Sequence, residues 1–88
     1  MTLIIGGVEW SVSKTLSPST LGEADTTQTA IRLSKGLSKE REFATLIHEW
    51  LHAAIFEYGV KVEDEERLVT ALTPAVIELL RRNDVSKD

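Results

Sequence analysis

Residues 38–59 read SKEREFATLIHEWLHAAIFEYG, and this stretch decides the fold. Ser38 is a good helix N-cap, because its hydroxyl can accept from a backbone N–H in the first turn. Glu40 follows where the helix dipole favours an anion. Phe43, Ile47, Leu51, Ala54 and Tyr58 recur at helical spacing and predict a buried stripe. Gly59 suits a left-handed helix end. The helix is expected from Lys39 to Tyr58, with Tyr58 in the core.

Within it lies His48-Glu49-Trp50-Leu51-His52. At about 100° per residue, positions four apart differ by only about 40° around the axis, so both imidazoles point the same way. Two histidine nitrogens so placed can reach one zinc ion, Zn2+, at about 2.0–2.1 Å. Glu49, about 100° from His48, can lean over the open side of the metal as general base. Zinc lowers the pKa of its water to about 7, which makes a nucleophile for a carbonyl carbon at neutral pH. The two histidines of the chain are both in this motif, and the motif sits mid-helix.

A catalytic zinc site takes three protein ligands. With no third histidine and no cysteine, the third must be a carboxylate. Glu57, Glu63, Asp64, Glu65, Glu66 and Glu78 are the candidates. The periodicity predicts a second helix that starts after Asp64 and ends near Arg82, kinked at Pro74. With Leu68 at 0°, its apolar residues Val69, Leu72, Val76, Leu79 and Leu80 centre at about 60°. Glu65 falls in the middle of that face and Glu66 at its edge, near 160°. A charge central to a buried face needs a partner or a metal, so the metal ligands expected are His48, His52 and Glu65, with Glu66 as the alternative.

Towards the N-terminus the pattern turns to β. Thr2 to Ile5 is apolar, and Gly6-Gly7 supports the positive φ angles of a tight hairpin turn. Val8 to Lys14 alternates, with Val8, Trp10 and Val12 on one face. Thr15 to Thr26 reads as a loop, with room for one helical turn over 18–21. Gln28 to Leu33 alternates again and is expected to be a third strand at the sheet edge. The fold class is therefore α+β: a small three-stranded sheet, made of a hairpin and an edge strand, packed on two helices in one domain over residues 1–88. Trp10 and Trp50 are expected to pack, Arg32 and Arg41 to be solvated or ion-paired, and Thr45 to bond back to its own helix.

Composition agrees with a small globular chain: 88 residues, 42% hydrophobic and 27% charged. A domain of this size buries roughly 60–65% of its surface, so a bound metal would add useful stability. The net charge of −4 argues against a nucleic-acid or anionic-membrane partner. No apolar run is long enough to span a bilayer and no signal peptide is evident, which makes the cytoplasm the expected location.

The run QTAIRL from Gln28, then FATLIHEWLHAAI from Phe43, resembles the zincin metallopeptidases, and more narrowly the small HExxH proteins encoded by phages and prophages. The resemblance runs from about Leu21 to Leu80. It implies a zincin-like domain of the glutamate type: His48 and His52 as zinc ligands, Glu49 as general base, Glu65 or Glu66 as third ligand. It also implies that a protein or peptide substrate binds along the edge strand Gln28 to Leu33. The function expected is hydrolysis of a peptide bond through a zinc-activated water. The alternative is a zinc-stabilised binding or regulatory module without catalysis.

Overall fold

A computed structural model describes residues 1–16 and 20–83. The helical turn expected over 18–21 lies largely outside these, as do residues 84–88. The elements run β1 (Thr2–Ile5), β2 (Val8–Thr15), β3 (Gly22–Asp25), β4 (Ala30–Ser34), α1 (Lys39–Glu57) and α2 (Glu65–Arg82).

The architecture is α+β, with one mixed sheet of order β1-β2-β4-β3 against two helices. β1 and β2 form the expected hairpin, with Ile5 opposite Val8. Gly6 and Gly7 hold φ of 57° and 80° in its turn, the pair of positive values a two-residue hairpin loop requires. β4 runs parallel to β2, with Val12 beside Ile31, and antiparallel to β3, with Glu23 opposite Arg32.

Two expectations about the sheet are corrected. It has four strands, not three, because Gly22–Asp25 forms a strand inside the stretch read as a loop. GEAD has no apolar alternation and little β propensity; tertiary contacts hold it instead. Arg32 Nη1 reaches Glu23 Oε2 at 2.6 Å and Asp25 Oδ2 at 3.2 Å across the strand pair. The strand read at Gln28 to Leu33 is also not an edge. As β4 it lies between β2 and β3, and β3 takes the edge. Burial of Ala30, Ile31, Leu33 and Ser34 reflects that central position.

One face of the sheet carries the core: Ile5, Trp10, Ile31 and Leu33, closed by Ala53 of α1, with Leu46, Trp50 and Ala54 packed around them. Trp10 is fully buried and donates from Nε1 to Glu57 Oε2 at 2.8 Å, which ties the hairpin to the end of α1. Burying such a ring while meeting its N–H makes it the largest apolar contribution on this face.

α1 begins at Ser38, whose hydroxyl accepts from Arg41 N, and ends before Gly59, at φ 65°. It is the middle layer, packed on the sheet on one flank and on α2 on another. That explains why polar Thr45 and Glu49 are buried along with Ile47 and Ala53. Tyr58, expected in the core, is 69% exposed; it is the C-cap, where the backbone has left the helical path.

α2 is capped by Asp64, which accepts from Arg67 N, and runs unbroken through Pro74. Only Val69 and Thr73 of this helix are buried. No helix among the described residues is long and apolar enough to cross a membrane.

Candidate metal centre

Helical geometry turns one strip of α1 into the floor of an open groove. With His48 at 0°, Arg41, His52, Thr45, Phe56 and Glu49 follow within about 100°. The sheet-packed residues Ala53, Leu46, Trp50 and Ala54 lie on the opposite half. β3 forms one wall and α2 the other. The approach of β3 is tight: a Cβ on Gly22 would sit 2.7 Å from Thr45 Cγ2 and 3.1 Å from Arg32 O. Thr45 itself donates to Arg41 O at 2.7 Å, the expected back-bond.

His48, His52 and Glu66 form a group that could hold a metal ion, with donor atoms all within 4.8 Å of one another. The imidazole rings stand 5.1 Å apart at 62°. His48 Nε2 lies 3.3 Å and His52 Nε2 2.8 Å from Glu66 Oε1. Three ligands at about 2.0–2.1 Å from a tetrahedral zinc lie about 3.3 Å apart. The observed spacing therefore fits a single ion after small side-chain adjustments, and two imidazoles with one carboxylate are a donor set zinc accepts.

Glu65, expected as the third ligand, is not in this group. Its carboxylate instead meets His52 on the other ring nitrogen, Nδ1, at 2.5 Å. The reason is directional. The apolar arc of α2 centres near 60°, but the helix meets α1 through Val69 and Thr73, at about 100° and 140°. Glu66, near 160°, is thus turned towards the histidines, and Glu65 reaches only the near side of His52. A carboxylate on the distal nitrogen of a ligating histidine fixes its tautomer and ring orientation. Thr70 Oγ1 donates to Glu66 Oε2 at 3.2 Å and steadies the carboxylate in the same way. Sequence reasoning passed over Thr70, although its position four residues after Glu66 was a usable signal.

Electrostatics follow from this clustering. For His52, burial disfavours the imidazolium, but hydrogen bonds to Glu65 and Glu66 outweigh it and raise the pKa above 6.5. Glu66 loses some hydration, yet contact with His52 and the charge of His48 bring its pKa below 4.5. Glu49 moves the other way: burial raises its pKa, partly opposed by His48 and His52.

Glu49 lines both halves of the groove. One half, with a volume of about 430 Å³, runs past Leu21, Gly22, Thr45, His48 and Pro74. The other, about 510 Å³, runs past Ala24, His52, Ile55, Phe56 and Val60. The expected ion pairs of Arg32 are present, while Arg41 lines the first half of the groove. Comparisons with protein-family models, curated proteins and solved structures return no match for this chain.

Proposed function

We propose that this chain is a zinc-dependent peptide hydrolase of the HExxH type, as the resemblance of its motif to small zincin-like proteins implies. The observation that carries the reading is Glu49: a buried carboxylate one residue from His48, facing a groove whose two halves are lined by His48 and by His52.

A zinc ion held there supplies a Lewis acid and a water of pKa about 7. Glu49 takes the proton of the attacking water and delivers it to the leaving amine. Burial raises its pKa, which makes it the stronger base for taking the first proton. Glu65 beside Nδ1 would hold the proton on that nitrogen of His52 and leave Nε2 able to ligate a metal.

The substrate runs beside β3. This is the sheet edge bordering the groove, and its outer backbone groups can pair with an extended peptide. Ala24, Ile55, Phe56 and Val60 on one side of the site, and Leu21 and Pro74 on the other, favour apolar side chains flanking the cleaved bond.

The test begins with zinc content of untagged protein and continues with cleavage of a peptide library by wild type and Glu49→Gln. Near one zinc per chain in both proteins, with cleavage only by wild type, is the expected result. Zinc in both with cleavage by neither would leave a zinc-stabilised binding module. Absence of zinc uptake would remove the metal reading altogether.

A further inference from the structure

α2 carries more apolar surface than α1 covers. Leu72 and Leu79 are 40% and 49% exposed, and with Leu68 and Ala75 they fall within about 60° of one another on the helix. This stripe points more than 90° away from Thr70, Thr73 and Pro74, which line the groove. Whatever covers it leaves the candidate site open.

Beside the stripe, on its flank at about −40° to −100°, stand Asp64, Arg67, Glu78 and Arg82, all exposed. None of these four side chains makes an ion pair among the described residues, although other charges of the chain do. Their order along the helix is acid, base, acid, base; Asp64 and Arg82 are centred on residue 73, and Arg67 and Glu78 midway between 72 and 73. Rotation by a two-fold axis near Thr73 brings Asp64 of one chain to Arg82 of the other, and Arg67 to Glu78. Leu68 with Leu79 and Leu72 with Ala75 are centred midway between 73 and 74, a fraction of a helical turn away, so the same rotation brings these apolar side chains together. In an antiparallel helix pair each flank faces its own copy, so these charges meet. A heterologous partner gives no reason for the centres of the apolar and charged pairs to fall within one residue of each other.

We propose that α2 is a self-association surface, and that its occupant is a second copy of this chain, with the two α2 helices antiparallel across a two-fold axis near Thr73. The dimer buries the Leu68/Leu72/Ala75/Leu79 stripe and closes two Asp64–Arg82 and two Arg67–Glu78 pairs. Both grooves face outward. The surface is independent of the metal reading, since none of these side chains belongs to the His48/His52/Glu66 group.

Sedimentation velocity of the untagged full chain, from low to high micromolar, tests this. A concentration-dependent monomer–dimer equilibrium is expected. Leu72→Glu should make the protein monomeric throughout. Arg67→Glu should weaken the dimer about tenfold by setting like charges together, and adding Glu78→Arg should restore it. Circular dichroism identifies any variant that fails to fold, and the charge swap decides the matter even if Leu72→Glu does. A chain monomeric at every concentration overturns the proposal. So does a dimer indifferent to folded Leu72→Glu, or to Arg67→Glu with no rescue by the swap.

Discussion

α1 and α2 are both amphipathic helices of similar length, yet they are buried in opposite ways. α1 lies between sheet and α2, and even Thr45 and Glu49 are covered. α2 has the cleaner separation of apolar and polar residues but buries only Val69 and Thr73. The lesson is that an apolar arc marks what can be buried, while the neighbouring element decides which part is. That difference brings Glu66, and not Glu65, into the group that could hold a metal and leaves a stripe of leucines uncovered.

The largest effects should come from α1 and its contacts. His52→Ala removes one of two imidazoles, and zinc uptake by the purified protein should be abolished, together with any zinc-dependent rise in Tm. Trp10→Ala empties the centre of the core and strands Glu57, and should cost about 3–5 kcal/mol in urea denaturation. Retention of tight zinc by His52→Ala would break the assignment of α1 as the metal helix.

Next comes the comparison between adjacent glutamates. Glu66→Ala should reduce zinc affinity more than Glu65→Ala does, with about 10–100-fold expected for Glu65 as the residue that orients His52. Competition with a chelating dye measures both, and the reverse order would return Glu65 to the metal.

The pH dependence has a definite sign. In metal-free protein the raised pKa of His52 gives stability that is complete below 6.5 and lost as pH rises through the folded value. The lowered pKa of Glu66 gives stability present above 4.5 and lost as pH falls through its folded value. The metal-free protein should therefore draw most from this cluster between those limits. Zinc must displace the His52 proton, so affinity should weaken as pH falls through the raised value, with proton release visible in calorimetry across buffers. Zinc affinity flat with pH over this range would contradict it.

A subtler contrast separates the two strands about the β3–β4 turn. Gly22→Ala should cost about 1–3 kcal/mol, because the new methyl meets Thr45 and the Arg32 carbonyl. Thr29, in that turn, holds φ 47°, which is unfavourable for a β-branched residue. Thr29→Gly should stabilise by about 1 kcal/mol, the smallest effect here, read as a shift in denaturation midpoint. A loss instead would mean that the threonine side chain contributes more than its backbone strain costs.

The residues themselves determined the hairpin at Gly6-Gly7, both helices with their Ser38 and Asp64 caps, and the clustering of His48, Glu49 and His52. Each rests on interactions within a few residues, so spacing alone carries them. Tertiary structure decided the rest. β3 exists because Arg32 and α1 hold GEAD in place, and its presence moves the Gln28 to Leu33 strand from edge to interior. Tyr58 is exposed because the chain leaves the helical path at this C-cap position. Glu66 reaches both histidines and Glu65 only His52, because α2 meets α1 off the centre of its apolar arc. The strand order and the Glu66 contacts are relations between elements distant in the chain, and no local periodicity encodes the angle at which one helix lies on another.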